Sequence, residues 1–358
     1  MSETLLEQLG NQARQEIEQV AHPRAEWVPE RSGPDGLPVL NVLVVGAGQG
    51  GAALAFQLSR DRVPGVLVVD QAERGFEGPW RTFARMPTLR SPKEFTGPDL
   101  GIPSLTYAAW HTAVYGAADW RDLDLIRTQD WAEYLLCVRN TTGVTVRNQT
   151  RVVRIEPVAS EFRLFKVGLL KQAQRLDVFA RNIVLASGQD GVGRWWVPEF
   201  VEALPREYWR HSAESIDFSA LRDKRVAVLG AGASAADNAA VALEHGAAEV
   251  HMFVRRSKLQ RIQPYRWITF AGFLKALPDL DDAWRWRFMQ QVLGMRESIP
   301  QNTYDRMRKH SNFYLHTARM DGRACGRCVQ HYLCHDYEGA FSFGLRHRRH
   351  WYRRRLCR

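Results

Sequence analysis

Two glycine turns, each set between an apolar strand and an alanine-rich helix, constrain this chain more than any other feature. The first lies in "LPVLNVLVVGAGQGGAALAFQLSR". Val39 to Val45 reads as a buried strand, and Gly46-x-Gly48-x-x-Gly51 leads from it into a helix. A second apolar run, Val66 to Val69, ends in Asp70. Strand, glycine turn, helix, strand and acid in that order fit a dinucleotide cradle. Gly46 permits the tight turn, Gly48 lets the backbone approach a pyrophosphate, and Gly51 lets the helix pack close to the strand. The helix N-terminus at Gln49 offers free N–H groups and the positive end of a dipole to phosphate. Asp70 is placed to accept hydrogen bonds from a ribose. A merely flexible glycine turn would leave the flanking strands and the acid unexplained.

The second turn lies in "KRVAVLGAGASAADNAAVALEHGAAEVHMFVRR". A strand, Val226 to Leu229, leads to Gly230-x-Gly232-x-x-Ala235, with Ser234 in the first turn of the next helix. The following strand, Val250 to Val254, ends in Arg255 and Arg256 instead of an acid. An acid there would repel a 2′-phosphate, whereas arginine favours it, so this cradle is expected to take NADPH over NADH. The alternative is a pair of surface arginines. Gly46 and Gly230 are 184 residues apart, which implies two nucleotides on one chain. The acid-ended cradle suits FAD, and a flavin beside a nicotinamide implies hydride transfer.

Several function classes are disfavoured by composition. With 45% hydrophobic and 25% charged residues, the 358-residue chain reads as an ordinary globular protein of about two domains. No run of about 18 apolar residues occurs, so no membrane span is expected. The N-terminal segment carries early acids and no apolar core, which argues against a secretory signal. It reads as an amphipathic helix with Leu5, Leu6, Leu9, Ile17 and Val20 on or near one face. Five cysteines, four of them after residue 320, do not resemble a secreted disulfide framework, and a cytoplasmic location is expected. The net charge of +10 invites a nucleic-acid partner, but residues 321–358 alone hold nine arginines, no lysine and three acids. The remaining 320 residues are nearly balanced, so no nucleic-acid partner is expected. A small-molecule substrate and O2 are the expected partners, and the oligomeric state stays open.

With both cradles in place, the chain resembles the flavin-dependent monooxygenases with two dinucleotide domains. That superfamily includes the flavin-containing, Baeyer–Villiger and N-hydroxylating enzymes. The resemblance covers roughly residues 38–317. "GPWRTFARMPTLRSP", with Gly78, Trp80 and Arg90, resembles the Gly-x-Trp segment that passes under the flavin ring. "RNIVLASGQ", ending in Gly188 and Gln189, resembles the strand where the chain leaves the FAD domain, with Ser187 in place of threonine. The segment with His211 resembles the His-Ser stretch before the NADPH cradle. Only His211 is kept of the Phe-x-Gly-x-x-x-His-x-x-x-Trp/Phe fingerprint of the Baeyer–Villiger branch. Pro205, Glu207 and Ser215 stand at its other positions.

The resemblance implies that NADPH reduces FAD, O2 reacts with the reduced flavin, and one oxygen atom passes to a small organic substrate. Arg90 and His211 are the candidate catalytic residues, Arg90 as a cationic contact to flavin, nicotinamide or substrate. The substrate stays open between an amine, a sulfur, a ketone and a ring carbon. Trp195, Trp196, Trp267, Trp284 and Trp286 are expected to pack rather than to cage a substrate.

The stretch "DGRACGRCVQHYLCH" holds Cys325, Cys328, His331, Cys334 and His335 within eleven positions. Zinc and a redox dithiol are both conceivable there. The dithiol would make the chain a reductase of the thioredoxin-reductase type, but it lies 95 residues after Gly230. The favoured reading is an out-of-frame tail without metal. Its Arg, His, Cys, Gly and Trp without Lys match a GC-rich coding sequence read out of frame. A permissible back-translation of residues 344–354, shifted by one nucleotide, reads Phe-Gly-Thr-Gly-Val-Thr-Gly-Ile-Asp. That restores the Thr-Gly closing motif of the family. A non-catalytic remnant is therefore a further alternative.

The expected fold is α/β, with two Rossmann-like domains and the NADPH domain inserted in the FAD domain. Its parts are a leading helix and linker over 1–37 and an FAD domain over 38–190 lacking its last piece. An NADPH domain over 191–320 and an aberrant, disordered basic tail over 321–358 complete it.

Overall fold

The computed structural model describes residues 2–34, 36–95, 97–188, 191, 193, 195–260, 263, 268–295, 298–317 and 341–343. The chain forms two compact units, Met1–Arg194 and Trp195–Arg358.

The first unit runs α1 (Ser2–Gln19), β1 (Val39–Val45), α2 (Gln49–Arg60), β2 (Val66–Val69), α3 (Tyr107–Tyr115), α4 (Ala117–Asp122) and α5 (Thr128–Thr142). It continues with β3 (Val146–Arg147), β4 (Thr150–Val158), β5 (Leu164–Lys171) and β6 (Gln174–Leu185). The sheet order is β3-β2-β1-β6-β5-β4. β1 lies parallel to β2 and β6, whereas β4, β5 and β6 pair antiparallel. Leu43 and Val44 of β1 are fully buried, one on each face of the sheet. Burying each contributes about 1.5–3 kcal/mol. β4 is an edge strand that carries Arg151, Arg154, Pro157 and a register shift, features that discourage edge-to-edge pairing.

The leading helix is not a separate piece. α1 packs on α3 and α5 within the first unit. Its buried contact is Ala13, with Leu6 and Ile17 partly buried beside it, whereas Leu5 and Val20 are exposed. The 3.6-residue period puts Leu6, Ala13 and Ile17 on one stripe, while Leu5 is one position off and Val20 follows the last helical residue.

The second unit runs α6 (Glu199–Glu202), β7 (Trp209–His211), β8 (Arg225–Leu229), α7 (Ala233–Glu244), β9 (Glu249–Val254), α8 (Ala271–Ala276), α9 (Asp282–Met295), α10 (Gln301–Arg308), β10 (Phe313–Thr317) and β11 (Phe341–Phe343). Its sheet order is β10-β9-β8-β11-β7. Its four determined pairings, β10 with β9, β9 with β8, β8 with β11 and β11 with β7, are all parallel. Ala235, Ala236, Ala239 and Ala240 of α7 are fully buried against Val226, Val228, Val250 and Met252. Small side chains on that face let the helix sit close to the sheet.

Residues 321–358 were expected to contribute no strand. Residues 341–343 instead form β11, between β7 and β8. Among the described residues, no strand after β6 joins the first sheet. The rest of the expected tail lies outside the described residues. So does the cluster of Cys325, Cys328, His331, Cys334 and His335. Among the described residues no helix is long and apolar enough to cross a membrane, and no His, Cys, Asp or Glu cluster is arranged to hold a metal.

Candidate functional site

In the first cradle the glycines are required by space as well as by conformation. Gly46 has φ +106°, and a Cβ on it would lie 2.5 Å from the Ala186 carbonyl oxygen. A Cβ on Gly51 would lie 1.9 Å from the Gly46 carbonyl oxygen. Gly48 differs. It is the N-cap of α2, and a Cβ on it would meet only Gly78 at 3.7 Å, an ordinary contact. The protein itself therefore does not demand glycine at position 48, whereas a pyrophosphate on the α2 N-terminus would. Gly188, with φ +74°, closes the turn after β6 beside this site.

The carboxylate of Asp70 is already engaged. Oδ2 accepts from the Ala47 N–H at 2.7 Å and Oδ1 from the Ala72 N–H at 2.8 Å. It thus pins the glycine turn to the end of β2, with lone pairs left for a ribose.

A cleft opens at this cradle. Gly48, Gln49 and Ala52 form one wall, Gly75, Glu77, Trp80 and Arg81 the rim, and α5 the other wall through Ala132, Leu136 and Arg139. Trp80 meets Trp131 edge to face, with centroids 6.4 Å apart. The rim is tied to α5 by charge. Arg81 donates to Glu133 at 2.5 Å, Arg74 to Asn140 at 2.6 Å, and Arg139 to Glu77. The Glu77 and Arg139 side chains are only 6% and 7% exposed. Burial alone would push the Glu77 carboxyl up. Hydrogen bonds from Asn148 and Arg139 outweigh it and hold the carboxyl below the usual carboxylate range.

The second cradle repeats the backbone plan of the first. The Gly46 N–H donates to the Val69 carbonyl at 2.8 Å, and the Gly230 N–H to the Phe253 carbonyl at 3.1 Å. Gly230 has φ +135°, and Gly232 caps α7 as Gly48 caps α2. Ser234 is exposed in the first turn of α7, where an anion would approach. Arg255 and Arg256 are both exposed directly after β9. Arg256 leans toward the C-terminus of α9, with Nη1 3.5 Å from the Met295 carbonyl.

The remaining expected residues divide. Arg90 is exposed, just beyond the bridge between Thr88 and Arg127. His211 is buried, stacked on Trp195 with ring centroids 5.0 Å apart, and its Nδ1 accepts from the Ala213 N–H. That hydrogen bond puts the ring proton of neutral His211 on Nε2 and uses the ring to fix the turn after β7. Gln189 and Trp267 lie outside the described residues. Trp195, Trp196, Trp284 and Trp286 are partly exposed, with Trp195 stacked on His211 and Trp284 against Phe288, and the only buried residue of α9 is Val292. Sequence reasoning missed Glu77, Arg139 and Asn148. No sequence signal marked them, since a basic residue in the last turn of a helix, as Arg139 is in α5, is ordinary.

With this geometry in hand, comparison with known proteins gives a consistent picture. Residues 43–271 match the family model of pyridine nucleotide-disulphide oxidoreductases. The chain is 43% identical over 312 residues to a FAD-dependent urate hydroxylase of Xanthomonas campestris pv. campestris. That match covers 87% of this chain and 65% of the relative, so the chain spans about two thirds of the relative's length. The fold resembles that of the reduced form of ornithine hydroxylase from Pseudomonas aeruginosa, with TM-score 0.67, 16% identity, and 87% and 84% of the two chains covered. It also resembles the ornithine N-hydroxylase of Kutzneria sp. 744, with TM-score 0.63, 16% identity, and 78% and 72% covered. The expected kinship with flavin monooxygenases agrees with these relatives.

Proposed function

We infer the function of this chain from its family: it belongs to the pyridine nucleotide-disulphide oxidoreductases. Within that family we propose an FAD- and NADPH-dependent monooxygenase that places one oxygen atom of O2 into a small organic substrate. The observation that carries the reading is the pair of cradles with opposite charges at their strand ends, Asp70 in one and Arg255 in the other. FAD in the first cradle, held by Gly46, Gly48, Gln49, Gly51 and Asp70, would supply hydride acceptance and O2 activation. Gly78, Trp80 and Arg90 belong to the segment assigned to the flavin, and Gly188 and Gln189 to the turn that closes its site. NADPH in the second cradle would be held by Gly230, Gly232, Ser234 and Ala235, with Arg255 and Arg256 at its 2′-phosphate. Residues 38–190 then make the FAD domain and 191–320 an NADPH domain inserted in it.

The chain's own residues bind, orient and shield. The Asp70 carboxylate fixes the turn, the α2 and α7 N-termini offer N–H groups to the two pyrophosphates, and Trp80 walls one side of the cleft. A disulfide reductase is the weaker reading. Its candidate dithiol, Cys325 and Cys328, lies outside the described residues, and the relative that is 43% identical is a FAD-dependent hydroxylase. The relative that is 43% identical makes urate the first substrate to assay. The test is to purify the chain, record its flavin spectrum, and follow NADPH oxidation and O2 uptake with and without urate. The proposal expects a bound flavin reduced by NADPH and substrate-dependent O2 uptake. Failure to bind FAD would overturn it.

A further inference from the structure

The rim of the first cleft carries a buried polar junction that neither the glycine fingerprint nor the proposed activity accounts for. Glu77 sits at its centre. Its Oε2 accepts from the Gly75 N–H at 2.7 Å. Its Oε1 accepts from Asn148 Nδ2 at 2.5 Å and from Arg139 Nη1. Asn148 also donates to the Ala72 carbonyl at 3.1 Å. One carboxylate thus ties three separate parts of the first unit: the loop after β2, the last turn of α5, and the turn between β3 and β4. The next residue, Gly78, has φ +78°, and its Cα lies 3.7 Å from where a Cβ on Gly48 would sit. Two glycines therefore form facing lips at the mouth of the cradle, and the junction anchors one of them.

We propose that Glu77, through Arg139 and Asn148, is a positioning residue that sets the opening of the cofactor cleft by holding Gly78 against Gly48. The proposal rests on the reading of this cleft as the FAD site. A buried, fully paired charge is an expensive way to anchor a loop, and apolar packing of the same volume is often as stable. A stability role alone therefore does not account for it. Definition of one geometry does, because an ion pair with three directional donors admits few arrangements. The facing glycines show where that geometry is used: with no side chain on either residue, the two backbones lie almost in contact beside the α2 N-terminus, so the position of Gly78 sets how closely a pyrophosphate can seat there.

The experiment compares the full-length chain with Glu77→Gln, Arg139→Lys and Asn148→Ala. FAD is titrated into each deflavinated protein, the visible circular dichroism of the bound flavin is recorded, and apoprotein melting is measured in parallel. Glu77→Gln keeps the volume but loses the anion, and it should weaken FAD by about 10-fold or more, as loss of charge-assisted hydrogen bonds does. It should also change the flavin dichroism. Arg139→Lys keeps the cation and should weaken FAD less than Glu77→Gln does. Equal FAD affinity and an unchanged flavin spectrum in Glu77→Gln would overturn the proposal even if its melting temperature fell. If Glu77→Gln does not fold, Asn148→Ala decides: a several-fold weaker FAD supports positioning, and parental affinity overturns it. An unsubstituted chain that binds no FAD would instead overturn the reading of the site itself.

Discussion

The two cradles share a backbone and differ in their side chains. Each puts a positive-φ glycine after an apolar strand, ties that glycine's N–H to the neighbouring strand, and caps a helix with the next glycine. At the third position the first cradle has Gly51, where a Cβ would lie 1.9 Å from the Gly46 oxygen. The second has Ala235, which is fully buried without displacing its helix. At the strand end the first has Asp70, bonded to Ala47 and Ala72, and the second has the exposed side chain of Arg255. In the proposed reading the shared part holds phosphate. The differing part decides how tightly helix and strand pack and which charge the ribose end meets.

The largest expected effect comes from the third position. Gly51→Ala should destabilise the first unit by about 1–3 kcal/mol or more, because the added methyl group meets backbone that cannot turn away. Ala235→Gly, the mirror change, should cost about 1–2 kcal/mol, from helix entropy and the lost burial of one methyl group. Denaturant melts of both variants check this, and equal losses would erase the packing difference between the cradles.

The next effect separates folding from binding. Gly48→Ala should leave apoprotein stability nearly unchanged, since its Cβ meets only Gly78 at 3.7 Å. FAD should nonetheless be weakened by about 10- to 100-fold, as its pyrophosphate can no longer approach the backbone. Gly48→Val should leave the purified protein colourless. Full flavin retention in either variant would mean that the fingerprint does not hold FAD. A smaller loss is expected from Asp70→Asn. Asparagine can accept from only one of the two N–H groups without also presenting a donor. FAD affinity should fall by about 10-fold, the worth of one charge-assisted hydrogen bond, as read by flavin titration.

Much of this fold was legible in the sequence. The runs Val39–Val45 and Val66–Val69 coincide with β1 and β2, and Val226–Leu229 and Val250–Val254 lie within β8 and β9. The reason is local: a buried parallel strand needs an unbroken apolar run, and a positive-φ turn needs glycine. The Glu77 junction was not legible, because its partners Arg139 and Asn148 lie 62 and 71 residues away and no local pattern links them. The placement of β11 between β7 and β8 escaped for a related reason. A three-residue strand carries almost no periodic signal, and its partners are remote in sequence.

The central claim is that charge at the strand end divides the two cradles, so that Arg255 selects a 2′-phosphate. Calorimetric titration of NADP+ and NAD+ into the parent chain, Arg255→Ala and Arg256→Ala tests it most directly. The parent should prefer NADP+. Arg255→Ala should weaken NADP+ by about 10- to 100-fold, the cost of a lost charge-assisted phosphate contact, and leave NAD+ unchanged. Arg256→Ala, whose guanidinium leans toward Met295, should change NADP+ by a few-fold at most. Equal loss of NADP+ and NAD+ in Arg255→Ala would contradict the account, because the arginine would then serve the cradle as a whole and not the 2′-phosphate.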